Sequence, residues 1–291
     1  MPGTTGSSSR EPKPDWYDHP LWYDIVHWPD TPWEVRGLMA IERRFALEKP
    51  RKGRVWYEPA CGSGRYLREA AKRGVRAFGA DLNPKMVTFA NRALKAAGVS
   101  AAEGRAAVGD MTRAVPPKAG RADFAFCLIN SVRHLSTDAA VLAHLRAMRK
   151  VVKPDGLYAV GISLTHYGAE FPTEEVFHGK RGALRVTHLA QFLPPAGRFE
   201  TVLNHLMIRE GAGKKAKERH FDSSFRLRCF SGSQWGTMLD RAGWSVAGVV
   251  DEEGVDAVAF PGESWRREDI SGYGVFVLRN PLEASGLRRN G

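Results

Sequence analysis

The chain has 291 residues, 43% of them hydrophobic and 26% charged, and a formal net charge of +11. That length and balance suit one large globular domain, or one domain with a sizeable insertion. No run approaches the roughly 18–20 consecutive apolar residues that would span a bilayer, which excludes a helical membrane protein.

The cysteines, Cys61, Cys127 and Cys229, are odd in number and widely separated. They form neither a disulfide framework nor a CxxC metal pair, so no metal is expected and a reducing cytoplasm is the expected compartment. Part of the positive excess is clustered at Arg146, Arg149, Lys150 and Lys153, and again at Lys214, Lys215 and Lys217. Solvated faces and loops account for such clusters better than nucleic acid does.

In chain order, Met1 to Asp15 is polar and rich in Gly, Ser, Thr and Pro, and reads as a disordered leader (residues 1–15). An aromatic-rich segment follows from Trp16 to Trp33, then a helix over about Trp33 to Leu47. From there strands and helices alternate as in a parallel α/β sheet. Gly53 to Tyr57 is a strand, Arg65 to Arg73 a helix, Val75 to Leu82 a strand, and Asn83-Pro84 opens a helix ending near Gly98. Strands are expected around Arg105 to Val108 and at Ala122 to Ile129. A helix spans about Asp138 to Val152, and a turn at Lys153-Pro154-Asp155-Gly156 leads to a strand at Leu157 to Leu164.

The pattern then changes. Ala183 to Phe192, Phe199 to Arg209 and Phe221 to Phe230 alternate like strands, without long helices between them. The expected organisation is therefore a core over 16–164, an antiparallel insertion on the substrate side over 165–230, and a return to the core sheet over 231–291. In that last part a helix from Ser231 to Ala242 has Ser231 as N-cap, and strands follow at Ser245 to Val250 and Gly274 to Arg279.

Gly62-Ser63-Gly64 lies between a β-rich run and a helix, where glycine permits a sharp turn and a close approach of ligand to backbone. A dinucleotide fingerprint needs a third glycine, and that position holds Leu67, so a pyrophosphate is disfavoured. Glu58, ahead of the glycines, suits a ligand with a cationic amino-acid portion. Asp81, closing the second strand, is placed to accept hydrogen bonds from ribose hydroxyls; a capping charge is the alternative.

With these residues in view the sequence resembles the class I S-adenosylmethionine-dependent methyltransferases, from about Tyr17 to Asn280. The run Glu58-Pro59-Ala60-Cys61-Gly62-Ser63-Gly64-Arg65 is similar to the family's first motif, and Gly79 to Met86 to its second-strand motif. Gly109-Asp110-Met111 resembles the adenine-facing element, Ala122 to Asn130 the fourth strand and the loop after it, and Val152 to Gly156 the family's Leu-Lys-Pro-Gly-Gly turn. The resemblance implies a Rossmann-like, mostly parallel seven-stranded sheet with helices on both faces. It also implies S-adenosylmethionine as cofactor, S-adenosylhomocysteine as product, and a cofactor site of Tyr23, Glu58, Ala60, Cys61, Gly62, Ser63, Gly64, Arg65, Asp81, Leu82, Met86, Asp110, Met111, Ile129 and Asn130. Pro59-Ala60 departs from the usual Leu-Gly or Ile-Gly. Cys61 fits a small packed side chain better than a catalytic thiol.

The run Asn130 to Leu135 lacks the Pro-Pro of nucleic-acid amino-methyltransferases. It resembles instead the Asn-Ser-x-x-His-Leu segment of small-molecule N-methyltransferases. That resemblance places His134 near an acceptor amine and Tyr23, of Tyr23-Asp24, near the methyl donor; these are the candidate catalytic residues. For His134, a packed or capping histidine is the competing reading. The expected activity is methyl transfer to a small-molecule acceptor, an amine nitrogen ahead of an oxygen. The alternatives are an RNA- or DNA-linked methyltransferase using the basic surface, or a non-catalytic adenosyl-binding protein.

Overall fold

The computed structural model describes residues 15–211, 213–256 and 264–281; the expected leader lies outside them except for Asp15. A short 3-10 turn, Trp16–Asp18, leads into α1 (Pro20–His27) and α2 (Thr31–Phe45). Then come β1 (Val55–Glu58), α3 (Arg65–Lys72), β2 (Arg76–Asp81), α4 (Pro84–Ala96), β3 (Gly104–Val108), β4 (Ala122–Cys127), α5 (Asp138–Val151) and β5 (Val152–Leu164). The inserted strands are β6 (Thr173–Arg181), β7 (Leu184–Ala196), β8 (Phe199–Glu210) and β9 (Lys217–Arg228). The chain closes with α6 (Gly232–Ala242), β10 (Ser245–Val250) and β11 (Gly272–Arg279).

Local chemistry sets several boundaries. The Asn83 side chain accepts from the Lys85 N–H with Pro84 in the first helical position, which starts α4. Ser231 and Gln234 form a reciprocal capping box at the start of α6, and Gly243, at φ 76°, ends it. The turn expected at Lys153 to Gly156 is instead a kink within β5, marked by Asp155 at φ 59°. The helix expected over Trp33 to Leu47 is α2, shifted towards the N-terminus because Pro32 falls in its first turn.

The main sheet has seven strands in the order β10-β11-β5-β4-β1-β2-β3. All neighbours pair in parallel except β11, which runs antiparallel to both β5 and β10. Side chains alternate across it with a period of two. Trp56, Phe124 and Phe126 face the core shared with α2, α3 and α4, while Tyr57, Ala125 and Cys127 face the core shared with α5 and α6. Burying a large apolar side chain in such a core contributes about 1.5–3 kcal/mol.

The insertion is a separate antiparallel sheet in the order β6-β7-β8-β9. Its inner face, including Val186, Leu206 and Ile208, closes over Trp16, Ile25 and Val26 of the N-terminal segment. That segment thus lies between the insertion on one side and α4 with the Gly62 turn on the other. Strand β6 joins the three strand-like runs expected from sequence. No described helix is long and apolar enough to cross a membrane, and the three cysteines are buried and unpaired.

Candidate active site

The strand order reverses between β1 and β4, so the loops leaving their carboxyl ends diverge to opposite faces and open a crevice. Glu58 ends β1, Asp81 ends β2, Gly109-Asp110 follows β3, and Leu128 to Asn130 follows β4. The residues singled out by motif therefore meet along one edge of the sheet.

The glycine turn is clamped to β2. The Cys61 N–H donates to the Ala80 carbonyl (2.8 Å), and the Gly62 N–H donates to Asp81 Oδ2 (2.8 Å). Asp81 Oδ1 accepts from the Asn83 N–H (2.9 Å). Two glycines make this possible. A Cβ on Gly79 would stand 2.6 Å from the Cys61 Cβ, and one on Gly64, at φ 70°, would stand 2.8 Å from the Ala90 Cβ. Asp81 is pushed up by burial, against the pull of the Asn83 and Gly62 N–H groups.

Glu58 is 5% exposed, and its Oε2 has no hydrogen-bond partner. Burial drives its carboxyl far above the usual range; the Arg65 charge opposes this, and Asp81 and Glu34 reinforce it. Arg65 is itself buried and committed elsewhere. It pairs with Glu34, donates to Thr31 Oγ1 (2.9 Å) and reaches the His27 carbonyl (3.2 Å). It therefore ties α1 and α2 to α3 and leaves Glu58 without a direct partner. The Tyr66 hydroxyl also donates to Glu34 (2.8 Å).

A cover for the turn comes from the N-terminal segment. Tyr23 lies over Gly62, with its Cε1 3.6 Å from the point a Cβ would occupy. Its neighbour Asp24 is fully buried. Asp24 accepts from Ser63 Oγ (2.8 Å) and from Arg181 Nη2 (2.6 Å), and it pairs with Arg68. One carboxylate thus fastens the glycine turn, α1, α3 and β6 together.

Past β4 the backbone enters the left-handed region at Ile129 (φ 46°) and Asn130 (φ 62°). Asparagine tolerates this, but a β-branched residue is strained there, a feature that concentrates at functional sites. The Tyr273 hydroxyl accepts from the Ile129 N–H (3.1 Å), and Asn130 bonds both the Ser163 hydroxyl (3.0 Å) and the Ser163 N–H (2.7 Å). Asn130 is thereby a brace between β4 and β5. His134 follows in a 3-10 turn with its Nε2 3.3 Å from the Tyr17 hydroxyl. Phe225 of β9 stacks near it, with ring centres 4.9 Å apart. One edge of the imidazole is open to solvent, while the surrounding protein, with the Arg133 charge adding, holds it down to about 4.

The other expected residues divide into two kinds. Cys61, Ser63 and Met86 are buried, at 3%, 0% and 1% exposure, and offer little side-chain surface to a ligand. Burial pushes the Cys61 thiol far up, away from a reactive thiolate. Leu82 (74% exposed) and Ile129 (40%) present apolar surface along the crevice edge. Ala60 lies in the turn, half-buried. Met111 opens the 3-10 turn after β3, and Asp110 caps that turn by accepting from the Thr112 N–H (2.8 Å), which keeps its carboxyl low. Sequence reasoning did not single out Tyr17 or Phe225. The first was visible in the aromatic segment and the second in the alternation of Phe221 and Phe225.

Residues 57–156 match the family described as a methyltransferase domain. That match, on a sheet of this order, assigns residues 57–156 to a methyltransferase domain and gives the chain the Rossmann-like fold of the class I enzymes. Among solved structures, it is similar to DesVI of Streptomyces venezuelae, at 20% identity and a TM-score of 0.66, covering 92% of this chain and 99% of that one. The sugar N-methyltransferase KedS8 of Streptoalloteichus gives 18% and 0.62, covering 95% and 98%. The S-adenosylmethionine-bound amino pentose methyltransferase CalS10 of Micromonospora echinaspora gives 19% and 0.60, covering 93% and 99%. At such identities the likeness is one of fold. No curated protein matches the sequence significantly.

Proposed function

We propose that this methyltransferase moves a methyl group from S-adenosylmethionine to the nitrogen of a small-molecule amine, of the amino-sugar class. The observation that carries the cofactor is the buried, unpartnered Oε2 of Glu58. An orphaned carboxylate oxygen is costly unless a donor meets it, and an ammonium on the ligand is such a donor. Asp81, held in place by two backbone N–H groups, is the acceptor for ribose hydroxyls through its remaining lone pairs. Tyr23 over the turn provides an aromatic face near a cationic sulfonium.

When bound, S-adenosylmethionine supplies a methyl group on a sulfonium, open to in-line attack. The chain's part is alignment and exclusion of water. The crevice is covered by the aromatic N-terminal segment and backed by β9. His134, held near 4, is neutral at pH 7. In that form it can accept an N–H hydrogen bond from a neutral amine and aim the amine's lone pair. The Tyr17 hydroxyl fixes the ring from the other side. With the cofactor bound, methyl transfer would leave a thioether and an ammonium whose extra proton would pass to solvent, while His134 and Tyr17 hold the acceptor nitrogen in line. The amine preference rests on this neutral acceptor and on the likeness to a sugar N-methyltransferase and an amino pentose methyltransferase.

The test is transfer of label from methyl-labelled S-adenosylmethionine to matched amino and hydroxy sugars, with RNA as a third acceptor. Labelled amines are expected. Label only in the hydroxy sugars or in RNA refutes the nitrogen assignment.

A further inference from the structure

We propose that a second binding site, for the phosphoryl group of a phosphorylated small molecule, lies in the groove between α3, α4, the end of α1 and the end of β6. The groove has a volume of about 360 Å³, within the range of small-ligand sites. Arg68, Lys72 and Arg181 line it, with Trp28 and Phe89 as aromatic walls and alanines of α4 as a low floor. None of the described residues lining it is a carboxylate, and none belongs to the methyl-transfer site.

The charge balance beneath the groove leaves positive charge over. Asp24, fully buried, is shared by Arg68 and Arg181. Glu69 is likewise shared by Lys72 (3.3 Å) and Arg73. Arg68 is 9% exposed, lies 4.3 Å over the Trp28 ring, and has an Nε without a hydrogen-bond partner. Burial disfavours its charge, Asp24 supports it, and the nearby Arg181 and Arg65 charges oppose it again. A desolvated guanidinium among other cations, at the wall of an open groove, is stabilised by an incoming anion. Guanidinium forks match phosphoryl oxygens in shape and charge. The Lys72 Nζ, 5.0 Å from the Trp28 ring centre and half exposed on its side chain, adds a point charge at the groove. Phe89 and Trp28 leave room for a flat or hydrocarbon portion beside the phosphoryl group.

The experiment is calorimetric titration of the full chain with inorganic pyrophosphate, and separately with a nucleoside diphosphate, against sodium chloride at matched ionic strength. Binding of one pyrophosphate per chain is expected. Lys72→Gln and Arg181→Gln should each weaken it about tenfold, the loss of one charge-assisted contact. Tighter binding of the nucleoside diphosphate would assign the aromatic walls to its base. Equal binding would assign the site to the phosphoryl group alone. Arg181→Gln also touches Asp24, so Lys72→Gln carries the test should Arg181→Gln fail to fold. S-adenosylmethionine binding by the same samples reports separately on the methyl-donor site. Pyrophosphate heats no greater than those of chloride, or affinities unchanged in the Lys72 variant, would overturn the proposal.

Discussion

Replacing Glu58 by glutamine removes the ionisable group from the one carboxyl in the crevice with an unpartnered oxygen. If that oxygen receives the ammonium of S-adenosylmethionine, Glu58→Gln loses a charge-assisted hydrogen bond, about 1.5–3 kcal/mol. That corresponds to roughly a 10- to 150-fold rise in Kd. The free protein should not suffer. Burial raises the folded-state pKa of Glu58 above its unfolded value, so the wild type loses stability as pH rises from the unfolded pKa towards the folded one. Glutamine is free of that loss, and the variant should unfold no earlier than wild type at neutral pH.

The same raised carboxyl gives the binding a pH signature. A cationic ligand lowers the carboxyl's pKa in the complex, so binding releases a proton wherever the free site still holds one. Wild-type affinity should therefore rise with pH through the raised value and then level, whereas Glu58→Gln should be flat. Calorimetry in two buffers of different ionisation enthalpy reads the released proton directly. Methylthioadenosine, which lacks the amino-acid tail, should bind both proteins equally. A Glu58→Gln protein that binds S-adenosylmethionine within threefold of wild type, or that loses methylthioadenosine just as much, refutes this placement of the ammonium.

His134→Asn and Tyr17→Phe should each lower kcat roughly a hundredfold through misalignment, with cofactor Kd within threefold; unchanged turnover in steady-state assays removes the pair from the mechanism. Asp24→Ala leaves Arg68 nine-tenths buried beside Arg181 without their shared carboxylate, and should cost about 3 kcal/mol in denaturant unfolding, at the low end for broken buried pairs because Arg181 is partly exposed. A loss under about 1 kcal/mol would contradict the latch. His144, fully buried and held down to about 4, binds its proton in the unfolded chain first, so stability should fall as pH drops from 6.5 to 4, by about 3 kcal/mol. Glutamine at 144 should flatten that slope, and parallel pH curves for the two proteins would rule this origin out.

Much of the main sheet was readable because its signals are local. The glycine turn, the proline opening α4 and the Ser231 cap each act within a few residues. Strand β6 was harder. Its sequence alternates no apolar face, since Phe177 is its chief inward ring and Val176 stands 53% exposed. It is a strand because β7 pairs with it along its whole length. Helix α1 has the same character. Its run of aromatic and β-branched residues is a weak helix former, and it holds through Ile25 and Val26 packing under the insertion and through Asp24, whose arginine partners lie far along the chain. The meeting of Tyr17, His134 and Phe225 likewise depends on three distant elements, which no spacing rule encodes.

The crevice also shows why a net charge of +11 says little about what it binds. Three carboxyl groups, Glu34, Glu58 and Asp81, lie there, the charges of Glu34 and Asp81 both acting on Glu58, and each is restrained differently. Glu34 is matched by Arg65 and the Tyr66 hydroxyl. Asp81 is matched by two backbone N–H groups that orient it without cancelling its charge. Glu58 alone keeps an oxygen without a partner, at the end of β1 and next to the unusual Pro59-Ala60 pair. Proline there has no N–H to offer back to that carboxyl, so the departure from the commoner motif removes one local donor from Glu58. If the proposed cofactor site is right, the field there favours a cation through the one group whose valence the fold leaves open, whatever the sign of the protein's surface.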